Sequence, residues 1–279
     1  MRSFNHIFLL LIALVVFCAV NVAEGGTLKE WLKKHPDRVI CQRGAPELSI
    51  QKNCAFPPQS KLHTNLDCRL PDCVTFEEAA LLEPLSVGVH ACRRANIEMG
   101  QSILVQGAGP IGTLCMMIAK AMGATQVVMT DLDQNRLALA KTLGADHVIC
   151  VKGMSLLDVQ EAVIDCSQCE PDATIECTGA QACMESSILS TRSGGVIVMV
   201  GLGAPRIDLP IIDSCLREVD IRGVFRYANC YPTALNLIAS RRIDLTGLTK
   251  AHYKLNEAEE AFQRAQMVDV IKVFIHCQE

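Results

Sequence analysis

Residues 103–131 read ILVQGAGPIGTLCMMIAKAMGATQVVMTD, and this stretch decides how the chain folds. Ile103-Leu104-Val105 is a short apolar run with the length and composition of a buried parallel strand. Gly107-Ala108-Gly109-Pro110-Ile111-Gly112 follows, then Thr113 to Met122, a small and apolar segment of helical length. A second apolar run, Gln126 to Thr130, ends on Asp131. Strand, glycine turn, helix, strand and carboxylate are thus in the order a dinucleotide site requires. Gly107 makes the tight turn in this reading, Gly109 lets the backbone approach a pyrophosphate, and Gly112 lets the helix lie close on the strand. The helix N-terminus offers unpaired N–H groups and a positive dipole end to phosphates. A GxGxxG alone also fits an ordinary βαβ turn, but here an acidic residue stands about 20 residues beyond the last glycine, as dinucleotide sites require.

Outward from this unit the alternation continues. His147 to Cys150 reads as a third strand, preceded by a helix from Gln134 to Leu143 that Gly144 closes. Asp172 to Glu176 is a fourth strand with a helix from Gln181 to Ser190 after it, and Gly195 to Val200 is a fifth. Val219 to Phe225 is a sixth, followed by a helix over Pro232 to Ala239. Six strands alternating with helices indicate an α/β, doubly wound, six-stranded parallel sheet of the Rossmann type. Ligands bind such sheets at the carboxyl ends of the strands, which marks Gly107 to Gly112, Asp131, Cys177-Thr178-Gly179, Val200 to Gly203 and Phe225-Arg226-Tyr227.

On the N-terminal side, Thr75 caps a helix with Glu78 three residues on, and the helix is expected to run through Glu83 until Pro84 breaks or kinks it. A second apolar stretch ends at Arg93 and Arg94, where a helix C-terminus favours positive charge. Glu83 is a carboxylate inside an apolar helix. It either belongs to a site opened by the kink or reaches solvent or a nearby arginine. The tail from Asp244 reads as an amphipathic helix, Leu255 to Gln266, and an alternating strand, Val270 to Ile275, in a separate layer.

Residues 1–25 look like a secretory signal: Arg2, a continuous apolar run from Ile7 to Val20, and small residues at Ala23 and Gly25. That run is too short for a comfortable membrane span. Residues 26–70 are loop-rich, apart from a short capped helix at Thr27 to Lys34. Their Cys54, His63 and Cys68, with Cys73, fit no standard zinc pattern. The chain therefore divides into 1–25 signal, 26–70 irregular, 71–95 connecting helices, 96–243 nucleotide domain and 244–279 tail. The leader points to the secretory pathway, with no membrane attachment after cleavage.

Half of the 279 residues are hydrophobic, enough for a core and too apolar for disorder. A net charge of −4 and 4% aromatics leave neither a basic footprint nor a stacking surface for nucleic acid. The 15 cysteines are scattered. Cys115, Cys150 and Cys177 are expected as buried free thiols, and Cys166-Ser167-Gln168-Cys169 as a loop with two incidental thiols.

The segments LPDCVTFEEAALLEPLSVGVHACRR, VQGAGPIG, VVMTDLDQNRLALAKTLGAD, TIECTGA and REVDIRGVFRYAN closely resemble polyol-oxidising members of the medium-chain, zinc-dependent alcohol dehydrogenase family. The resemblance runs from about Leu70 to the C-terminus and implies NAD as cofactor, a small-molecule polyol as substrate and oxidation of a secondary alcohol to a ketose. By position it implies NAD contacts at Ile111, Asp131, Arg136, Val200-Gly201-Leu202 and Val224-Phe225-Arg226, alongside Gly107, Gly109 and Gly112. Asp131 would accept from the adenosine ribose hydroxyls and repel a 2′-phosphate, favouring NAD over NADP. Arg226 and Tyr227 match residues that hold the polyol, and Glu83 matches the glutamate beside the catalytic zinc.

The chain also departs from that pattern. The family's zinc ligands include a Gly-His-Glu motif, and none of the seven histidines here precedes glutamate. No metal ligand is therefore assigned, and both termini of the sheet domain are expected to carry only a remnant of the family's catalytic domain. Three readings follow: an NAD-dependent polyol dehydrogenase, a catalytically silent NAD-binding or interaction protein of the same descent, and a truncated or fused gene product. The expected behaviour is NAD binding without polyol oxidation. Self-association is left open, and the family's cytoplasmic location stands as the alternative to secretion.

Overall fold

The computed structural model describes residues 70–248, 250–267 and 270–276. The signal segment, the capped helix at Thr27 and the ligand candidates Cys54, His63 and Cys68 lie outside them. Thr75 opens the described fold. Its side chain accepts the Glu78 N–H at 3.2 Å, and the Glu78 carboxylate accepts the Thr75 N–H at 2.7 Å. This reciprocal cap starts helix α1, Phe76–Ala80.

The expected long helix to Glu83 is corrected here. The chain turns at Leu81, and a new helix α2, Leu82–Ala95, begins before the proline. Pro84 is its third residue, in the first turn, where its missing N–H leaves no intrahelical bond unmade. The proline therefore opens a helix instead of breaking one, and Glu83 lies at the positive end of the α2 dipole.

The sheet follows as strands β1 (Ser102–Gln106), β2 (Gln126–Asp131), β3 (His147–Cys150), β4 (Ala173–Glu176), β5 (Val196–Met199) and β6 (Asp220–Gly223). They lie in the order β3-β2-β1-β4-β5-β6, every pair parallel. The order reverses between β1 and β4, which makes their carboxyl ends the switch point. Helices α3 (Pro110–Met122), α4 (Gln134–Thr142), α5 (Leu156–Ser167), α6 (Gln181–Ser190), α7 (Ile211–Leu216) and α8 (Tyr231–Ala239) make the crossovers and the return. Two of these were not expected, α5 and α7. As a result Cys166 of the CxxC sits in the last turn of a helix, and only Cys169 is in a loop.

Strand residues alternate between two cores, as a sheet covered on both faces requires. Ile103, Val105, Val127 and Met129 face the main core with α2, α3 and α8. Leu104 and Val128 face a smaller cluster with Val159 and Val163 of α5. A side chain at Gly88 of α2 would come within 2.8 Å of Ile118 and 3.4 Å of the Cys115 nitrogen, so this glycine sets how closely α2 lies on α3.

The tail forms a separate two-stranded parallel sheet, β7 (Lys250–Lys254) with β8 (Lys272–His276), joined through a 3₁₀ turn at Leu255–Glu257 and helix α9, Ala258–Arg264. The separate layer matches the sequence reading. The expected helix from Leu255 to Gln266 is shorter than supposed, and β7 was not anticipated. Phe274 buries its ring in the main core, and Lys250 pairs with Glu77 at 3.0 Å, which docks this sheet against α1. No helix among the described residues is long and apolar enough to cross a membrane.

Candidate dinucleotide and substrate site

Gly107 has φ +95°, a left-handed conformation that glycine adopts without strain. A side chain there would also strike Thr178 at 2.8 Å. A Cβ at Gly112 would stand 1.8 Å from the Gly107 carbonyl oxygen, so helix α3 can lie on the turn only because residue 112 is glycine. Gly109 caps α3 from an extended backbone, and the nearest atom to a side chain there would be Arg136 Nη1 at 3.9 Å. Arg136 of α4 thus reaches the rim of the turn, and Ile111 is half-buried against the main core.

Asp131 ends β2 and is tied to this turn. Its Oδ2 accepts the Ala108 N–H at 2.6 Å and its Oδ1 accepts the Asp133 N–H at 2.9 Å. An ionised carboxylate offers about four lone-pair sites, so both oxygens retain capacity for further donors. Asp133 in turn caps α4, accepting from Asn135 and Arg136. The carboxylate, the glycine turn and the start of α4 are therefore joined by hydrogen bonds.

Across the switch point, Glu176 ends β4 fully buried, a residue the sequence reading did not single out. Its Oε1 accepts the N–H groups of Thr178 at 2.6 Å and Gly179 at 3.0 Å, which shapes the Cys177-Thr178-Gly179 turn. A carboxylate closing an apolar strand, followed by Thr-Gly, was the available signal. Gly179 has φ +75° and meets Gly201 and Gly203 backbone to backbone, where any Cβ would clash. That approach holds Val200 and Gly201 against the turn, with Leu202 exposed beside them. After β6, Val224 packs on the core and Phe225 is exposed.

Arg226 has φ +60°, rare for a residue with a side chain. Tyr227 beside it is buried, its ring 5.4 Å from that of Tyr231, which anchors the strained backbone. Arg226 Nη1 lies 3.4 Å from Glu83 Oε1, both side chains largely covered. Burial raises the Glu83 pKa above the usual carboxylate range, opposed by the charges of Arg226 and Lys272. Burial lowers the Lys272 pKa, opposed by Glu83. Lys272 comes from β8 and was missed in the sequence because the tail strand's position on the nucleotide domain is a tertiary fact. Of the two readings open for Glu83, pairing with an arginine is observed, and that arginine is the one implied for substrate.

Zinc does not fit the described residues: no group of three or more His, Cys, Asp or Glu among them could hold a metal ion. A dinucleotide does fit the turn: a side chain at Gly109 would meet nothing nearer than Arg136 Nη1 at 3.9 Å, which leaves the start of α3 open beside the carboxylate tied to it. All described cysteines are free thiols. Cys115 is buried as expected, whereas Cys150 and Cys177 are only partly covered.

These features are those of the nucleotide domain of the medium-chain dehydrogenase class. Residues 110–240 match the family described as zinc-binding dehydrogenase. Sorbitol dehydrogenase of Gallus gallus is 46% identical over 231 residues, covering 80% of this chain and 65% of the relative. That of Macaca fascicularis is 45% identical over 277 residues, covering 92% and 77%. The chain belongs to the sorbitol dehydrogenase family of zinc-binding, NAD(P)-dependent dehydrogenases. It spans about two-thirds of the length of the Gallus gallus relative. The 92% coverage also extends the likeness beyond Leu70 into the N-terminal segment, where none was expected. Among solved structures, 2R,3R-butanediol dehydrogenase from Bacillus subtilis superposes with a TM-score of 0.71 at 26% identity, covering 76% of this chain and 60% of that one.

Proposed function

We propose that this chain binds NAD across the β1–β4 switch point as the nucleotide portion of a polyol dehydrogenase. The observation that carries the reading is the Asp131 bond to the Ala108 N–H, which joins a ribose acceptor to the phosphate cradle. Gly107, Gly109 and the α3 N-terminus would hold the pyrophosphate, and Ile111, Arg136, Val200-Gly201-Leu202 and Val224-Phe225-Arg226 would line the cofactor. Asp131 would take the ribose hydroxyls and repel a 2′-phosphate. When bound, NAD would supply the two-electron acceptor for a secondary alcohol. On the substrate side Arg226 would orient the polyol's hydroxyls, with Tyr227 fixing its backbone. Glu83, whose pKa burial raises, would accept or release a proton at its carboxylate.

The second reading, a silent NAD-binding protein, is favoured by the lack of a metal-ligand group among the described residues. Calorimetry with NAD and NADP, followed by NADH absorbance with sorbitol and added zinc, separates them. The expected result is NAD binding, weaker NADP binding and no zinc-dependent turnover. Turnover would sink the silent reading, and absence of NAD binding would sink both. Asp131→Ala should weaken NAD binding about 10- to 100-fold, the worth of about 1.5–3 kcal/mol for hydrogen bonds to a charged group. Unchanged affinity would remove the ribose assignment.

A further inference from the structure

Glu176 holds two turns at once. Through its side chain it holds the turn after β4. Oε1 accepts the N–H groups of Thr178 at 2.6 Å and Gly179 at 3.0 Å together with the Thr178 hydroxyl, and Oε2 shares the Gly179 N–H at 3.0 Å. Through its backbone it holds the turn after β5, where its carbonyl oxygen accepts the N–H groups of Val200 at 2.8 Å and Gly201 at 2.9 Å. The two turns are also pressed together, since a Cβ on Gly201 or Gly203 would strike the Thr178–Gly179 backbone. They form one platform across the carboxyl ends of β4 and β5. Glu176 itself is fully buried. Packing alone would be served by an apolar side chain at that place, because a carboxylate is costly to take out of water.

We propose that Glu176 is the positioning residue for the half of the dinucleotide beyond the pyrophosphate, the half that carries the nicotinamide. The inference rests on NAD binding at the switch point, as proposed above. A dinucleotide held at Asp131 has its adenosine on the β2 side of β1 and its pyrophosphate at the start of α3. Strands β4 and β5 lie on the other side of β1. The remaining half therefore crosses to their carboxyl ends, where the platform presents Val200, Gly201 and Leu202. Being fully buried, Glu176 acts through the two turns it holds and not by touching the ligand.

The chemistry of the side chain makes the role specific to a carboxylate. Its oxygens are acceptors only, and every polar group they meet in the turn is a donor. Glutamine keeps the shape but replaces one oxygen with an NH₂ group, which sets a donor against the donors of the turn. With no water at hand to take the lost partner's place, the turn must shift, and the Gly201–Gly203 backbone resting on it shifts as well. Asp131 and the start of α3 lie across β1 from this platform. The Cys177-Thr178-Gly179 turn does stand beside Gly107, whose added Cβ would meet Thr178 at 2.8 Å, so the adenosine half must be measured together with the whole cofactor.

The test is calorimetry of the full-length chain and of Glu176→Gln with two ligands, NAD and ADP, the second carrying only the adenosine and the pyrophosphate. Expected is NAD binding about tenfold weaker in the variant, with ADP binding within about twofold of the natural chain. Gly203→Ala, which parts the two turns from the other side, should give the same split, and it decides by the same criterion if Glu176→Gln lacks native circular dichroism. A lower melting temperature with both affinities unchanged would leave Glu176 a purely structural residue and overturn the proposal. Equal losses for NAD and ADP would overturn it too, since the damage would then reach the whole site. A natural chain that binds no NAD would instead remove the reading on which the proposal rests, and the inference with it.

Discussion

At the residue scale, Glu83 shows two effects in opposition. Arg226 and Lys272 favour its charge, burial opposes it, and burial prevails, so the folded chain holds the Glu83 proton more tightly than the unfolded chain does. Stability from this group is therefore present at acid pH and lost as pH climbs from the unfolded pKa through the raised folded one. Glutamine stands in for the protonated acid. Glu83→Gln should melt close to the natural protein near pH ~4 and above it near pH ~8, the difference opening between those values. Melting curves across that range check the sign. A variant that melts lower at high pH would mean that the ion pair with Arg226 outweighs burial. The sequence marked Glu83 as unusual and Asp131 as the carboxylate that closes the second strand beside the glycine turn, because the signals around them are local. It could not show Lys272 beside Glu83, since only the docking of β8 brings the two together.

At the scale of elements, legibility followed the same division between local and distant causes. The βαβ unit from Ile103 to Asp131 could be read residue by residue, since Gly107, Gly112 and Asp131 act on neighbours within one supersecondary motif. Helix α5 carries a readable start as well, Ser155 with Asp158 in a reciprocal cap. Helix α7 had less to offer: six residues with no side-chain cap. Pro84 signals a break in the sequence because a proline inside an apolar run has that effect in a helix interior. Its place in a first turn depended on the chain turning at Leu81. The Thr75 cap was legible and is testable. Thr75→Ala removes the acceptor for the Glu78 N–H and should cost about 1 kcal/mol, read as a lower urea midpoint with unchanged slope. A loss of a few tenths or less would mean that α1 is held by the Arg241–Glu78 and Lys250–Glu77 pairs and not by its cap.

At the scale of the whole molecule, the proposed NAD site is assembled from the ends of β1, β2, β4 and β5 and exists only when the sheet is closed, so NAD binding there would be linked to folding. A ligand that binds only the folded chain stabilises it by about 2.7 kcal/mol at about 100 times its dissociation constant. For a domain of this size each kcal/mol moves the melting temperature by about 2–4 °C. Saturating NAD should therefore raise the melting temperature by about 5–10 °C. NADP at equal concentration should raise it less, since Asp131 opposes a 2′-phosphate. Gly112→Ala extends the argument from the ligand to the fold. Its Cβ would fall 1.8 Å from the Gly107 oxygen, so α3 must retreat from the turn, at a cost of about 1–3 kcal/mol or more before any ligand is added. Both losses should then appear in a single thermal-shift series: a lower melting temperature without NAD and a smaller rise with it. If the variant melts lower but keeps the full rise, the turn stabilises the fold without holding the cofactor, and the phosphate cradle must lie elsewhere along the strand ends.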